Sequence, residues 1–449
     1  MVAESIKAFI ESVFSIYNSI GDYIFEFYAL HSRDILDILH ISLKTIFNVL
    51  LFLTVIIATS YLIMSVAVLF RKKKEQRLKS SFEPKVTVQI PTFNELAALH
   101  CAKRCLAFDY PKDKLQIIIG DDSDDPEVSK HIDSFAAEHD NVQVTRRGNN
   151  IGFKPGNLNH MLKYSDGEIL VIFDSDFLPD RDFLRRIVTP FEDPEVSVAQ
   201  SRWKIANFDQ NFISVLGGTI LMICHNVALE FIHLFKGTGV LCGSGEAIRK
   251  KDLIEVGGWL AGSLTEDIEC SLRLIKKGKK LVYLNDLECH CETPHRFKDL
   301  CKQQMRWAYG VCLSTKKHIF DILRSDKTLR RDKLSVFIFA SGYMFSFLLL
   351  GLTVTGFLSI ISNRPAAIDW PRFFSETGVN ILITSGFLVS CMVALSKNRK
   401  IRRIPQVIAS SFSVGIAVTY YVNVGIFKAL FARQMQWFMV DKNGNEYSG

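Results

Sequence analysis

No charged residue occurs between Ile46 and Phe70. At about 1.5 Å per residue a helix over this run reaches roughly 37 Å, enough to cross a hydrocarbon core with tilt. A core helix of a water-soluble domain is rarely apolar on every face for that length. Arg71-Lys72-Lys73-Lys74 follows at once. Basic residues stay on the cytoplasmic side, so this flank places what comes after it in the cytoplasm and residues 1–43 at the other end of the span. In 1–43, Ile6, Phe9, Ile10, Val13, Phe14 and Tyr17 recur at helical spacing, while Glu11, Asp22 and Glu26 interrupt any longer apolar run. That pattern predicts a helix lying in the membrane interface. No small-residue cleavage site follows a short apolar core, so a signal peptide is not expected.

The bulk composition conceals this segregation. The chain has 449 residues, of which 48% are hydrophobic and 22% charged, and a net charge of +7. The basic residues cluster beside apolar runs, at 71–74 and 397–403, which fits membrane flanks rather than a nucleic-acid footprint. The ten cysteines form no paired CxxC pattern, and free thiols are expected. Cys289-His290-Cys291 reads as a buried strand end, since no second ligand pair stands at zinc-site spacing.

Residues 84–300 have a different character. Apolar β-rich runs at 86–90, 115–119 and 169–173 alternate with helical stretches such as 95–108 and 126–139. Each run ends in polar or acidic residues. This is the pattern of a doubly wound, mostly parallel α/β sheet, whose ligands bind outside the carboxyl ends of the strands. Interfacial helices are expected over 301–333. Uncharged runs return at 334–361 and 379–396, the second followed by the basic 397–403 loop, and a last run covers 407–431. The last run either crosses once or folds back, keeping Lys428 and Arg433 on the cytoplasmic side. The expected division is therefore 1–43, 44–74, 84–300, 301–333, 334–432 and a tail of 433–449.

Three acidic groups carry the chemistry. Asp174-Ser175-Asp176 follows the strand Leu170 to Phe173, and two carboxylates at i and i+2 on a turn suit a hard divalent cation, Mg²⁺ or Mn²⁺. Asp121-Asp122-Ser123-Asp124-Asp125 is either a helix-capping turn or an acceptor for nucleobase and ribose. Thr265-Glu266-Asp267 precedes a helical segment and reads locally as an N-cap with acidic residues at the positive helix end. Lys154 sits in a Gly-rich turn, and no GxxxxGK[ST] P-loop exists.

In order, these groups together with 88–95 (Val-Gln-Ile-Pro-Thr-Phe-Asn-Glu), 152–159 (Gly-Phe-Lys-Pro-Gly-Asn-Leu-Asn) and Gln303-Gln304-Met305-Arg306-Trp307 (QxxRW) resemble glycosyltransferase family 2. They look closest to its membrane-integrated branch, which includes cellulose, hyaluronan and chitin synthases and glucomannan-type cellulose-synthase-like proteins. The likeness covers about 84–310. It implies a GT-A fold in the cytoplasm with a helical transmembrane region, and an integral, plasma-membrane enzyme. Thr92, Glu95, Asp121 and Asp122 match positions that hold the nucleoside. Lys154, Asp174 and Arg306 match groups near the diphosphate. Asp176, with Asp174, matches the metal ligands, and Asp267, beside Glu266, the general base. Gln303, Trp307, Gly243 and Ser244 match the acceptor side, although Val240 and Leu241 stand where cellulose synthases carry two aromatic residues. The tail, with Trp437, loosely resembles that of glucomannan-type enzymes. The expected partners are a UDP- or GDP-sugar, a saccharide acceptor and the bilayer. The expected reaction is inverting, metal-dependent transfer to a growing β-linked polysaccharide that is passed through the membrane. Single-sugar transfer to a polyprenyl phosphate or ceramide-like lipid is the alternative enzyme, and a non-catalytic scaffold is the third possibility.

Overall fold

A computed structural model describes residues 2–71, 82–362, 369–431 and 433–435. Lys72, Lys73 and Lys74 of the first basic flank, and Trp437 in the tail, lie outside the described residues. Two compact units are present, Met1–Ile56 with Leu348–Ile383, and Ile57–Phe347 with Thr384–Gly449.

The first unit is helical. Helix Val2–Leu69 has no break near residue 43, so the amphipathic and uncharged stretches share one helix. Glycines allow close approach to it within this unit. A Cβ at Gly351 would stand 2.9 Å from Leu50, and one at Gly356 would stand 3.2 Å from Phe47. His40 Nδ1 lies 2.9 Å from the Ser359 carbonyl.

The second unit is built on a seven-stranded sheet. Its strands are β1 (Val86–Thr92), β2 (Leu115–Asp121), β3 (Val142–Thr145), β4 (Ile169–Ile172), β5 (Val196–Ile205), β6 (Glu246–Arg249) and β7 (Lys280–Cys291), in the order β3-β2-β1-β4-β6-β5-β7. All pairs are parallel except those made by β6, which runs antiparallel to β4 and β5. β1 and β4 are buried along their whole length, as expected of strands covered on both faces. Because β6 is reversed, its first residues lie at the same sheet edge as the last residues of β1, β2 and β4. The register pairs Ile172 with Glu246. The 242–245 loop therefore joins the crevice at the strands' carboxyl ends. Cys289 and Cys291 are buried in β7, and all ten cysteines are free thiols.

Helix Phe297–Arg324 carries Gln303, Arg306 and Trp307. Helix Ile416–Leu430 packs on it so closely that a Cβ at Gly425 would stand 2.4 Å from the Met305 carbonyl. Leu300, Cys301, Ala308, Val418, Val422 and Ile426 form the buried seam between them.

By length and composition, Asp34–Leu69, Phe212–Leu234, Arg330–Ser362 and Ile401–Leu430 are each able to cross a membrane, and Trp370–Ile383 and Gly386–Lys397 are together apolar enough to do so. Phe212–Leu234 differs from the others, since 78% of its apolar window is buried within the protein. Its apolarity serves the core.

Candidate active site

The crevice outside the carboxyl ends of β1, β2 and β4 encloses about 1310 Å³ of space open to solvent. At its centre lies Lys154, near the start of helix Phe153–Leu162. Its Nζ lies 2.7 Å from Asp174 Oδ1, 3.1 Å from Glu266 Oε1 and 2.6 Å from the Gly243 carbonyl. Burial alone would lower the ammonium pKa, but Asp174 and Glu266 more than offset that and hold it above the ordinary lysine range. One cation thus ties together the DxD turn, the helix Glu266–Lys276 and the 242–245 loop.

Asp267 is one residue into that helix. Its carboxyl is pushed up to about 7, first by burial and then by Glu266, with Lys154 and the helix's own amides opposing. Arg306, which faces the same cluster, is pulled below its usual value by burial, against the attraction of Glu266, Asp174 and Asp267. A carboxyl that titrates near neutrality inside a cleft fits an acid–base role.

On the β1–β2 side, the Ser175 hydroxyl donates to Glu95, and the Thr92 hydroxyl donates to the Glu95 carbonyl at 3.1 Å. Asp122 accepts two hydrogen bonds from Arg147, at 2.9 and 2.5 Å. Asp121 points elsewhere. It is buried and accepts from Ser123 N, Ser129 Oγ and Arg146 Nε, at 3.0, 2.7 and 2.8 Å. Burial would raise its pKa, but those hydrogen bonds hold it below the usual range.

The crevice brings together Thr92, Glu95, Asp122, Lys154, Asp174, Asp176, Gly243, Glu266, Asp267, Gln303, Arg306 and Trp307. Asp121 and Ser244 do not line it, although the Ser244 hydroxyl accepts from Asp174 N at 2.8 Å and so supports the DxD turn. Phe93 and Phe153, within two of the matched motifs but given no role, line it too, as do Phe177, Trp203 and Glu292, which were not foreseen. Trp203 packs edge-on to Phe177, with ring centroids 5.2 Å apart, and its indole donates to the Ser244 carbonyl at 2.9 Å. On a strand its alternation reads as core, and only the sheet's position reveals the opening.

Among the described residues no three His, Cys, Asp or Glu side chains converge as a metal site. Asp174 and Asp176 supply hard oxygen donors only, which fits a divalent cation whose shell is completed by other oxygens, such as those of a diphosphate.

Two helices meet at the site through Thr265 and Gly310. Thr265 is the N-cap residue of Glu266–Lys276 but makes no capping bond, and its Oγ1 is buried without a hydrogen-bond partner among the described residues. A Cβ at Gly310 would lie 2.3 Å from that oxygen. Gly310→Ala is expected to destabilise the protein by about 1–3 kcal/mol through this overlap, read as a lower unfolding midpoint. Adding Thr265→Ala removes the Oγ1 and Cγ2 overlaps but leaves its Cβ 2.8 Å away, so it should recover part of the loss, and no recovery would place the strain elsewhere.

The profile of glycosyl transferase family group 2 matches residues 169–425, more than half of the chain. The chain belongs to this family. Its members are glycosyltransferases. The chain is 33% identical over 267 residues to glucomannan 4-beta-mannosyltransferase 2 of Arabidopsis thaliana, an alignment covering 56% of this chain and 49% of that one. It is 30% identical over 272 residues to glucomannan 4-beta-mannosyltransferase 1 of Oryza sativa subsp. japonica, covering 58% and 52%. It therefore spans about half the length of the curated relatives it matches. Among solved structures, the mannosyltransferase PcManGT of Pyrobaculum calidifontis, in complex with GDP-Man and Mn²⁺, superposes with a TM-score of 0.58 at 18% identity, covering 89% of this chain and 100% of that one. The shared architecture is the GT-A-like one, a mostly parallel sheet.

Proposed function

We propose that the chain is a membrane-integrated, inverting hexosyltransferase that moves a sugar from a nucleotide-sugar onto the growing end of a β-linked polysaccharide. The observation that carries this is the joining of Asp267, Lys154 and Arg306 in one crevice with Trp307. Asp267 takes the proton of the acceptor hydroxyl as its oxygen bonds to the anomeric carbon and the bond from that carbon to the diphosphate breaks. The charge left on the diphosphate faces Lys154 and Arg306, held in place before the reaction begins. Thr92, Glu95 and Asp122 hold the nucleoside; Gln303, Trp307 and the Gly243 turn receive the acceptor, Trp307 as a stacking face. A Mg²⁺ or Mn²⁺ held by Asp174 and Asp176 would add positive charge beside the diphosphate. The names of the relatives make GDP-mannose the first donor to test.

Topology supports a cytoplasmic site. Arg71, just after the first long helix, and Lys397, at the end of Gly386–Lys397, both reach the buried Glu230 carboxylate, at 3.2 and 2.7 Å. Arg403 binds Asp209 at 2.9 Å. Basic flanks of the apolar helices thus lie on the side of the catalytic unit, as the positive-inside pattern asks. The product would leave through the membrane helices.

The test is transfer of label from GDP-mannose, UDP-glucose, UDP-N-acetylglucosamine or UDP-galactose by membranes holding the full chain. A high-molecular-weight, solvent-insoluble product is expected with one donor, and an organic-soluble product would mean a lipid acceptor instead. Trp307→Ala should cut polymer formation by about 10-fold or more, as loss of a stacked sugar contact does, and spare donor hydrolysis. Equal loss of both would count against stacking.

A further inference from the structure

Glu246 is a buried carboxyl for which the transfer step above has no use. It opens β6 and is 1% exposed. Its Oε2 accepts the amide hydrogens of Gly243 at 2.8 Å and of Cys242 at 3.1 Å. Two successive amides converging in this way form a hollow that suits an anion. Here the chain's own carboxyl fills it.

What the hollow holds is the turn that touches most of the site. Gly243 has φ +93°, a conformation that suits glycine. Its carbonyl accepts from Lys154 at 2.6 Å. A Cβ placed on it would stand 3.2 Å from Asp267 Oδ2, so the bare Cα backs the Asp267 carboxyl. The next residue, Ser244, accepts the Asp174 amide on its hydroxyl and the Trp203 indole on its carbonyl. Gln200 Oε1 also accepts from Cys242 N at 2.8 Å. Gly243 N has Glu246 as its partner.

Burying a carboxyl in this place is costly. It sits near Asp267 and Glu266, and burial first, then Asp267, push its pKa well above the usual range. The β-ladder uses only the backbone at this position, so sheet pairing does not require an acid there. A buried polar group retained at such cost, with both bonds directed at one turn, acts on that turn.

We propose that Glu246 is a positioning residue for transfer: by gripping the Cys242 and Gly243 amides it keeps the Gly243 carbonyl on Lys154 and the Gly243 Cα against Asp267, and so fixes where the base sits. The proposal rests on the transferase reading above. Asp267 and Lys154 do the chemistry, and Glu246 acts through them.

The experiment compares Glu246→Gln, Glu246→Ala and Glu246→Asp in the full chain purified in detergent. Two readouts are taken: kcat and donor KM with GDP-mannose, and deuterium exchange of peptides covering 240–246. Gln keeps an acceptor oxygen at the same reach, so its kcat and exchange should stay within about 3-fold of the parent. Ala should lower kcat by about 10-fold or more with donor KM changed by less than about 3-fold, because a misplaced base costs turnover rather than donor affinity. Its 240–246 amides should exchange about 10-fold faster. Asp, one methylene short, should show the same signature as Ala and stands in if Ala does not fold. A Gln variant as impaired as Ala, or an Ala variant with unaltered exchange, overturns the proposal. If the parent transfers no sugar from any donor, the transferase reading falls, while the exchange data still decide whether Glu246 holds the turn.

Discussion

Under the proposed role, Asp267→Asn is expected to lower sugar transfer by about 10²–10⁴-fold, the range for removal of a general base, and to leave GDP or UDP binding intact. The carboxyl is isosteric with the amide, and the groups assigned to the nucleoside, Thr92, Glu95 and Asp122, come from β1 and the turns after β1 and β2 rather than from helix Glu266–Lys276. The parent's pH profile carries the same signature. Burial, then Glu266, push the Asp267 carboxyl up to about 7. Only its ionised form accepts a proton, so kcat/KM falls as pH drops through about 7, by about tenfold per unit for a single proton. The linked stability runs with the opposite sign. The folded value exceeds the unfolded one, so this group's stabilising contribution is fully present below the ordinary carboxylate value and is lost as pH rises through about 7. The Asn variant lacks both effects. Rate–pH profiles and isothermal nucleotide binding on the two proteins check this. Loss of nucleotide binding in the variant, or an acidic limb well below neutrality in the parent, would remove Asp267 from its role.

Lys154→Met is expected to cost about 3–5 kcal/mol of stability, the usual penalty for removing one partner of a buried charge pair, and to abolish donor binding. Methionine keeps the stem and removes the charge. Asp174 and Glu266 then face each other with Arg306 as the cation left lining the crevice among the described residues, and the Gly243 carbonyl loses its donor. Lys154→Arg should rescue stability in part and binding poorly, since a planar guanidinium cannot occupy the same point between two carboxylates and a carbonyl. Thermal unfolding with and without GDP reads both quantities. A Met variant as stable as the parent and still stabilised by GDP would mean that charge does not hold the crevice together.

The alternation of apolar strands with helices was legible along 84–300, because strand and helix periods are local properties of the chain. So was the order of the acidic groups, which lets the resemblance be recognised at all. The uncharged runs were legible as well; Phe212–Leu234, which carries Glu230, was not among them, and its apolarity goes with burial in the protein. Asp121 and Asp122 were not separable. They are consecutive at the end of β2 and project to opposite sides, so Asp122 reaches the crevice with Arg147 while Asp121 turns to Arg146. Thr265 read as a helix cap, yet its hydroxyl makes no capping bond and packs instead against Gly310, a partner 45 positions away. Trp203 and Glu246 carried no signal, since an aromatic on a strand and an acid beside a turn have ordinary local explanations.

By itself the sequence determined the kind of domain, the order of its chemical groups and the apolar stretches beside it, all of which depend on composition and on neighbours a few residues apart. Tertiary structure alone decided which carboxylates share Lys154, that reversal of β6 carries Gly243 to the Asp267 carboxyl, and that helix Phe297–Arg324 brings Arg306 and Trp307 to the same crevice. Those depend on contacts between residues tens to hundreds of positions apart, where burial and charge compensation, rather than local propensity, select the arrangement.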